Sequence, residues 1–192
     1  MPINRILDAA LELQRFCESH QYRFCFIGAV ALQRWGDPRA TLDADLILLT
    51  GFGSEESFIS ELIEHFRPRR PYAAEFALKN RVLLLFASND VPIDIALGGL
   101  PFEARTIERS SPWQIKPDLK ITTCSAEDLV VHKAFANREQ DWADIERVLM
   151  RQIKRLDVDL IFKELRPLLE LKEAPEIEDR LRKMMEKEKL EN

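Results

Sequence analysis

The sequence predicts an α/β fold of the α+β kind, with strands and helices mixed through residue 123 and a helical C-terminal part over 124–192. Short apolar runs bounded by glycine, proline or asparagine alternate with helix-periodic stretches in the first part. From Ser125 onward only helical periodicity remains. The length of 192 residues, 46% hydrophobic and 32% charged, suits one α/β core with a helical subdomain packed on it, rather than two large independent domains.

Ile6, Leu7, Ala10, Leu11 and Leu13 fall at helical spacing and predict a first helix over 3–18. Tyr22 to Ile27 is an aromatic and β-branched run, hence a strand, and it ends at Gly28. Ala29 to Trp35 then predicts a helix closed by Gly36 and the Asp37-Pro38 turn. Leu42 to Leu49 is an apolar strand that carries two acids. Ser54 is placed to cap a helix running to about His65. Pro68 and Pro71 bracket an arginine-rich turn, and Arg81–Ala87 with Val91–Leu97 form a hairpin around Ser88-Asn89-Asp90. Residues 99–123, punctuated by proline, predict short strands and loops ending at Lys120-Ile121-Thr122-Thr123. Ser125-Ala126-Glu127-Asp128 has the form of a capping box and opens a helix to about Ala136; Asp141–Gln152 forms another. Two more helices follow from about Asp157, separated near Pro175, and the charge alternation of 176–191 predicts an exposed, salt-bridged helix.

Several function classes are disfavoured. No apolar run approaches the roughly 20 residues of a membrane span, and the start has no signal-peptide pattern, so a cytoplasmic location without membrane partners is expected. Cys17, Cys25 and Cys124 form no CxxC pair and are expected to be reduced and buried. His20, His65 and His132 lack ligand spacing, which argues against a histidine metal centre. A net charge of −5 opposes nonspecific nucleic-acid coating, although RNA stays open as a substrate.

The chemistry resides in the acids. Asp43 and Asp45 are two apart on a strand, so alternation aims both carboxylates at one face. Their repulsion calls for compensation, and an all-oxygen ligand set favours Mg²⁺. Asp94 interrupts an apolar strand at Ile93-Asp94-Ile95. If its strand neighbours that of Asp43 and Asp45, three carboxylates converge as two-metal phosphoryl chemistry requires. Alone, an Asp-x-Asp pair or a single strand aspartate also fits a solvated face; the order of elements favours the site.

Gly28-Ala29-Val30-Ala31-Leu32, Arg39-Ala40-Thr41-Leu42-Asp43-Ala44-Asp45-Leu46 and Pro92-Ile93-Asp94-Ile95 together resemble the signature of minimal nucleotidyltransferases of the polymerase-β superfamily, in particular the AbiEii-like group that includes toxins of toxin–antitoxin pairs. Downstream, Ser125 to Lys133, Arg138 and Asp141-Trp142-Ala143-Asp144-Ile145 are similar to that group's lysine, arginine and aspartate motif. The matches span roughly residues 24–150. The resemblance implies a mixed sheet flanked by helices, with a nucleotidyltransferase core over 1–123. It implies two Mg²⁺ ions at Asp43, Asp45 and Asp94, which would be the catalytic residues.

It further implies nucleotide binding by Gly28, Ala29, Thr41, Lys133, Arg138 and Asp141. A nucleoside triphosphate would be the donor, and a tRNA, protein or small molecule the acceptor. A cognate antitoxin would be a partner. One departure is Ala29, where the family usually has glycine or serine: the backbone amides remain for phosphate, but no hydroxyl is supplied. That departure motivates the alternative of a catalytically degenerate nucleotide-binding or protein-interaction module. Water as the nucleophile at the same carboxylates would instead give phosphodiester hydrolysis. Arg39 reads as a structural turn residue, Asp144 equally as a helix-surface acid, and Arg67, Arg69 and Arg70 beside Tyr72 as a solvated basic loop.

Overall fold

The computed structural model describes residues 2–191. Helix α1 (Pro2–Ser19) leads to β1 (Phe24–Phe26), α2 (Gly28–Trp35), β2 (Ala44–Leu49) and α3 (Glu55–His65). Then come β3 (Arg67–Pro68), α4 (Ala73–Asn80), β4 (Val82–Phe86), β5 (Pro92–Gly98) and α5 (Pro101–Glu108). Strands β6 (Ser111–Lys116) and β7 (Leu119–Thr123) precede four helices, α6 (Ala126–Ala136), α7 (Glu139–Gln152), α8 (Val158–Lys172) and α9 (Glu176–Glu191). The chain groups into two units: residues up to Val30 with Ala40–Cys124, and Ala31–Arg39 with Ser125 onward.

In the first unit the strands form one mixed sheet in the order β3-β4-β5-β2-β1-β7-β6. The β2–β5 and β1–β7 pairs are parallel and the others antiparallel. Strand alternation separates the faces. Leu46, Leu48, Leu83, Leu85, Ile93, Ile95 and Leu97 join a buried cluster with Leu13 and Cys17 of α1, Ile59 and Leu62 of α3, and Ala73 and Ala77 of α4. The residues between them, Asp45, Leu84 and Asp94, are half-buried and project from the opposite face.

The second unit is helical. Ser125 Oγ accepts a hydrogen bond from Asp128 N at 3.0 Å and so caps α6. Trp142, Ile145 and Leu149 of α7 and Ile161, Leu165 and Leu168 of α8 are buried at helical spacing. Residues 31–39 belong here by their bonds: Trp35 O accepts from Gln152 Nε2 at 3.1 Å, and Gly36 O accepts from Arg151.

The expected α+β class is present, with several local corrections. The segment expected to be only a turn before β4 contains strand β3 and helix α4, an eight-residue helix held by Ala73 and Ala77 in the core. The loop expected after residue 99 contains α5. Pro101 stands at its first turn, where no amide is needed, and Glu103 Oε2 accepts from the amides of Gly99 and Leu100 at 2.7 and 2.8 Å. Ser54 stands before α3, yet its side chain makes no cap bond; Glu55 Oε2 instead accepts from Gly53 N at 2.7 Å. Helix α9 is not simply exposed, because Ile177, Leu181 and Met185 form a buried stripe beneath its charged face. All three cysteines are buried and none forms a disulfide among the described residues, and burial pushes the Cys17 thiol up to about 12. Among the described residues no helix is long and apolar enough to cross a membrane.

Candidate active site

The parallel register of β2 and β5 places Asp45 directly opposite Asp94. Asp43 lies just before β2, two residues from Asp45, as alternation onto one face requires. Each of the three half-buried carboxylates offers an oxygen within 4.8 Å of the other two. Thr41 Oγ1 donates to Asp43 Oδ1 at 2.8 Å and fixes that carboxylate's orientation. The structure thus engages Thr41 with Asp43.

Gly28 adopts φ +54°, in the region that favours glycine. A Cβ there would lie 2.7 Å from Asp45 Cγ and 2.9 Å from its Cβ, distances that require something to move. Glycine is needed both for the backbone conformation and for the close approach of the turn to Asp45. Gly28→Ala is therefore expected to displace Asp45 and cut catalytic rate on the order of 100-fold, the loss that follows an ångström-scale misplacement. Initial rates read beside a thermal unfolding curve check this; a wild-type rate would show that the approach is dispensable. Ala29, next along α2, is buried.

Burial pushes the Asp94 carboxyl above its ordinary value; the Arg69 charge pulls it down, and Asp43 adds to the rise. Arg69 forms an ion pair with Asp94 through Nη1 and Oδ1. Arg67, Arg69 and Arg70 are exposed, as expected of a solvated basic loop, and Arg69 also reaches the carboxylate site. Arg67 pairs with Asp90 and lies 4.2 Å from the Phe86 ring centroid, and Arg70 lies 3.7 Å from that of Phe76. Asp90 and Asp94 attract these side chains only once β3 is seated beside β4, which local sequence pattern does not specify.

The donor set is entirely carboxylate oxygen, half-buried and mutually repelling, which suits hard divalent cations such as Mg²⁺. The site can concentrate positive charge against an oxyanion or phosphate.

The second unit holds another ionic cluster. Lys133, nearly fully buried, donates from Nζ to Asp141 Oδ1 at 2.9 Å and Asp144 Oδ2 at 2.8 Å. Arg138 Nε donates to Asp141 Oδ2 at 2.6 Å while the Arg138 side chain keeps three quarters of its surface in solvent. Arg39 grips Asp144 through two bonds, of 2.8 and 3.1 Å, and Arg147 adds a third of 2.9 Å. Burial acts to raise both aspartates. Hydrogen bonds from Arg138 and Lys133 nonetheless hold Asp141 below the usual range, and bonds from Arg39 and Lys133 do the same for Asp144. Asp144 is fully buried, which corrects its reading as a surface acid, and Arg39 is its principal partner. The sequence carried the motif of Lys133, Arg138, Asp141 and Asp144 and the i,i+3 spacing of Arg138 with Asp141, but gave no sign of the Arg39 and Arg147 contacts with Asp144.

Comparison with solved structures identifies the fold. The antibiotic-resistance factor ANT(2'')-Ia aligns with a TM-score of 0.56 at 13% identity, covering 94% of this chain and 99% of that one. An antigenic nucleotidyltransferase-like protein from Paracoccidioides brasiliensis aligns with a TM-score of 0.52 at 13% identity, covering 93% of each chain. The lincosamide antibiotic adenylyltransferase LnuA, bound to lincomycin, gives 0.50 at 14% identity over 73% of this chain and 94% of that one. At such identities these likenesses show the nucleotidyltransferase fold alone. No curated protein matches the sequence. The family model described as "Nucleotidyl transferase AbiEii toxin, Type IV TA system" matches residues 12–191, nearly the whole chain. The chain belongs to the AbiEii nucleotidyltransferase toxin family.

Proposed function

We propose that this nucleotidyltransferase moves a nucleoside monophosphate from a nucleoside triphosphate to an acceptor hydroxyl in a Mg²⁺-dependent reaction. The catalytic residues are Asp43, Asp45 and Asp94. Support comes above all from the β2–β5 register, which sets Asp45 opposite Asp94 with Asp43 on the same face. Two Mg²⁺ ions bound by these carboxylates would supply the positive charge that the triphosphate and its transition state require.

The chain's own residues divide the remaining work. Thr41 orients Asp43, and the Gly28 turn fixes Asp45. Asp94, on the same face as Asp43 and Asp45, accepts the proton of the attacking hydroxyl. As that oxygen bonds to the α-phosphorus, the bond from the α-phosphorus to the oxygen bridging the β-phosphate breaks and pyrophosphate leaves. Backbone amides at Gly28 and Ala29, at the amino end of α2, suit phosphate oxygens. On the helical unit, Lys133, Arg138 and Asp141 are assigned to nucleotide binding, a role supported by the family motif and by the bonds that fix Arg138. The acceptor is a tRNA, a protein or a small molecule. A cognate antitoxin is the expected partner and the cytoplasm the expected location.

Incubating the protein with each α-labelled nucleoside triphosphate, Mg²⁺ and total cell extract tests this reading. Label is expected in an RNA, protein or small-molecule fraction, and EDTA is expected to abolish it. Absence of transfer with every nucleotide would overturn the proposal, and free nucleoside monophosphate as the sole labelled product would replace it with hydrolysis.

A further inference from the structure

One row crosses the sheet from the carboxylate site to its edge. Asp45 stands opposite Asp94, and Asp94 opposite Leu84. The backbone amide of Arg69, the residue after β3, donates to Leu84 O at 3.0 Å and extends the ladder by one position. Opposed residues project from the same face, so Arg69, Leu84, Asp94 and Asp45 share one side of the sheet. Adjacent strands lie about 4.8 Å apart, which leaves Arg69 and Asp94 roughly 10 Å apart in the backbone, a gap the two side chains close over Leu84. Arg67 and Arg70 are engaged with Asp90, Phe86 and Phe76. Of the three arginines, Arg69 alone has a bond to the site.

The Asp94 oxygen that Arg69 bonds belongs to a carboxylate proposed as a cation ligand. A guanidinium and a divalent cation satisfy the same negative charge, and each weakens the attraction of the site for the other. We propose that Arg69 is a positioning residue that holds Asp94 in the nucleotide-free protein and raises the threshold for divalent cations until a triphosphate brings further negative charge. The inference rests on the proposed role of the three aspartates as cation ligands. The pinned backbone of Arg69 keeps the exchange local: the guanidinium turns away from Asp94 while the strand stays in place.

Mn²⁺ binding to the nucleotide-free protein, read from the electron paramagnetic resonance of the free ion, tests it without requiring turnover. Arg69→Gln removes the competing charge and is expected to bind Mn²⁺ about tenfold tighter, the order of effect of one charge beside a divalent site. Arg69→Lys keeps the charge and is expected to bind nearly as wild type does. A merely structural role for Arg69 predicts unchanged or weaker binding on its removal. If Arg69→Gln does not fold, Arg69→Met keeps the aliphatic stem and carries the same expectation. Equal or weaker Mn²⁺ binding by a folded, uncharged variant would overturn this inference while leaving the aspartate site intact. Failure of every form to bind Mn²⁺, with or without nucleotide, would remove the cation-ligand reading and this inference with it.

Discussion

Asp45→Asn is expected to lower nucleotidyl transfer by at least about 10³-fold, which corresponds to about 4 kcal/mol of transition-state stabilisation lost with one cation ligand. The side chain keeps its size and shape, so β2 should retain its pairing with β1 and β5. Loss of one of three neighbouring negative charges relieves repulsion, and the thermal midpoint of the metal-free protein should stay level or rise. That combination separates chemistry from folding. A variant that loses activity and unfolds early would implicate the strand. A stable variant that retains more than a tenth of wild-type activity would remove Asp45 from the reaction. The effect should exceed that of Gly28→Ala, which displaces the Asp45 carboxylate but leaves it charged.

The contrast between these two residues also shows which parts of the site were legible in the sequence. Asp43, Asp45 and Gly28 are local signals: alternation puts two acids on one face, and a glycine ending an apolar run marks a tight turn. Asp94 was legible because an acid amid Ile93 and Ile95 is costly without a partner. The pairing of its strand with β2, however, is a long-range fact that supplies the site's geometry. Arg69 lay beyond reach for the same reason, since its contact with Asp94 depends on a two-residue edge strand. Arg39 and Asp144, separated by 105 positions, are a still longer connection. Proline misled in one place: Pro101 reads as a breaker, whereas at the first turn of α5 its missing amide costs nothing. In α9 the numerous charges concealed the Ile177, Leu181 and Met185 stripe, whose weight in packing exceeds its share of the sequence.

Lys133→Met is expected to destabilise the protein by about 3 kcal/mol, at the lower end of the range for breaking a buried ion pair. Lys133 bridges Asp141 and Asp144, and both of those carboxylates are buried. Methionine fills much of the space but donates no hydrogen bond, so one oxygen of each aspartate loses its shorter bond and keeps only a longer one, from Arg138 at 3.3 Å on Asp141 and from Arg39 at 3.1 Å on Asp144. Arg138, Arg39 and Arg147 remain, which is why the upper end of the range is not expected. Acid titration gives the decisive second measurement. The depressed folded values of Asp141 and Asp144 contribute stability that is fully present above the ordinary aspartate value, about 3.9, and is lost as pH falls below it towards those lower values. Removing Lys133 lessens the depression, so the wild type has more stability to lose to acid than the variant. Chemical denaturation at pH 7 should show the full difference, and the two proteins should converge as pH falls below about 4. A deficit of constant size across that interval would mean that Lys133 contributes through the packing of its stem, with its charge offset by the cost of desolvation.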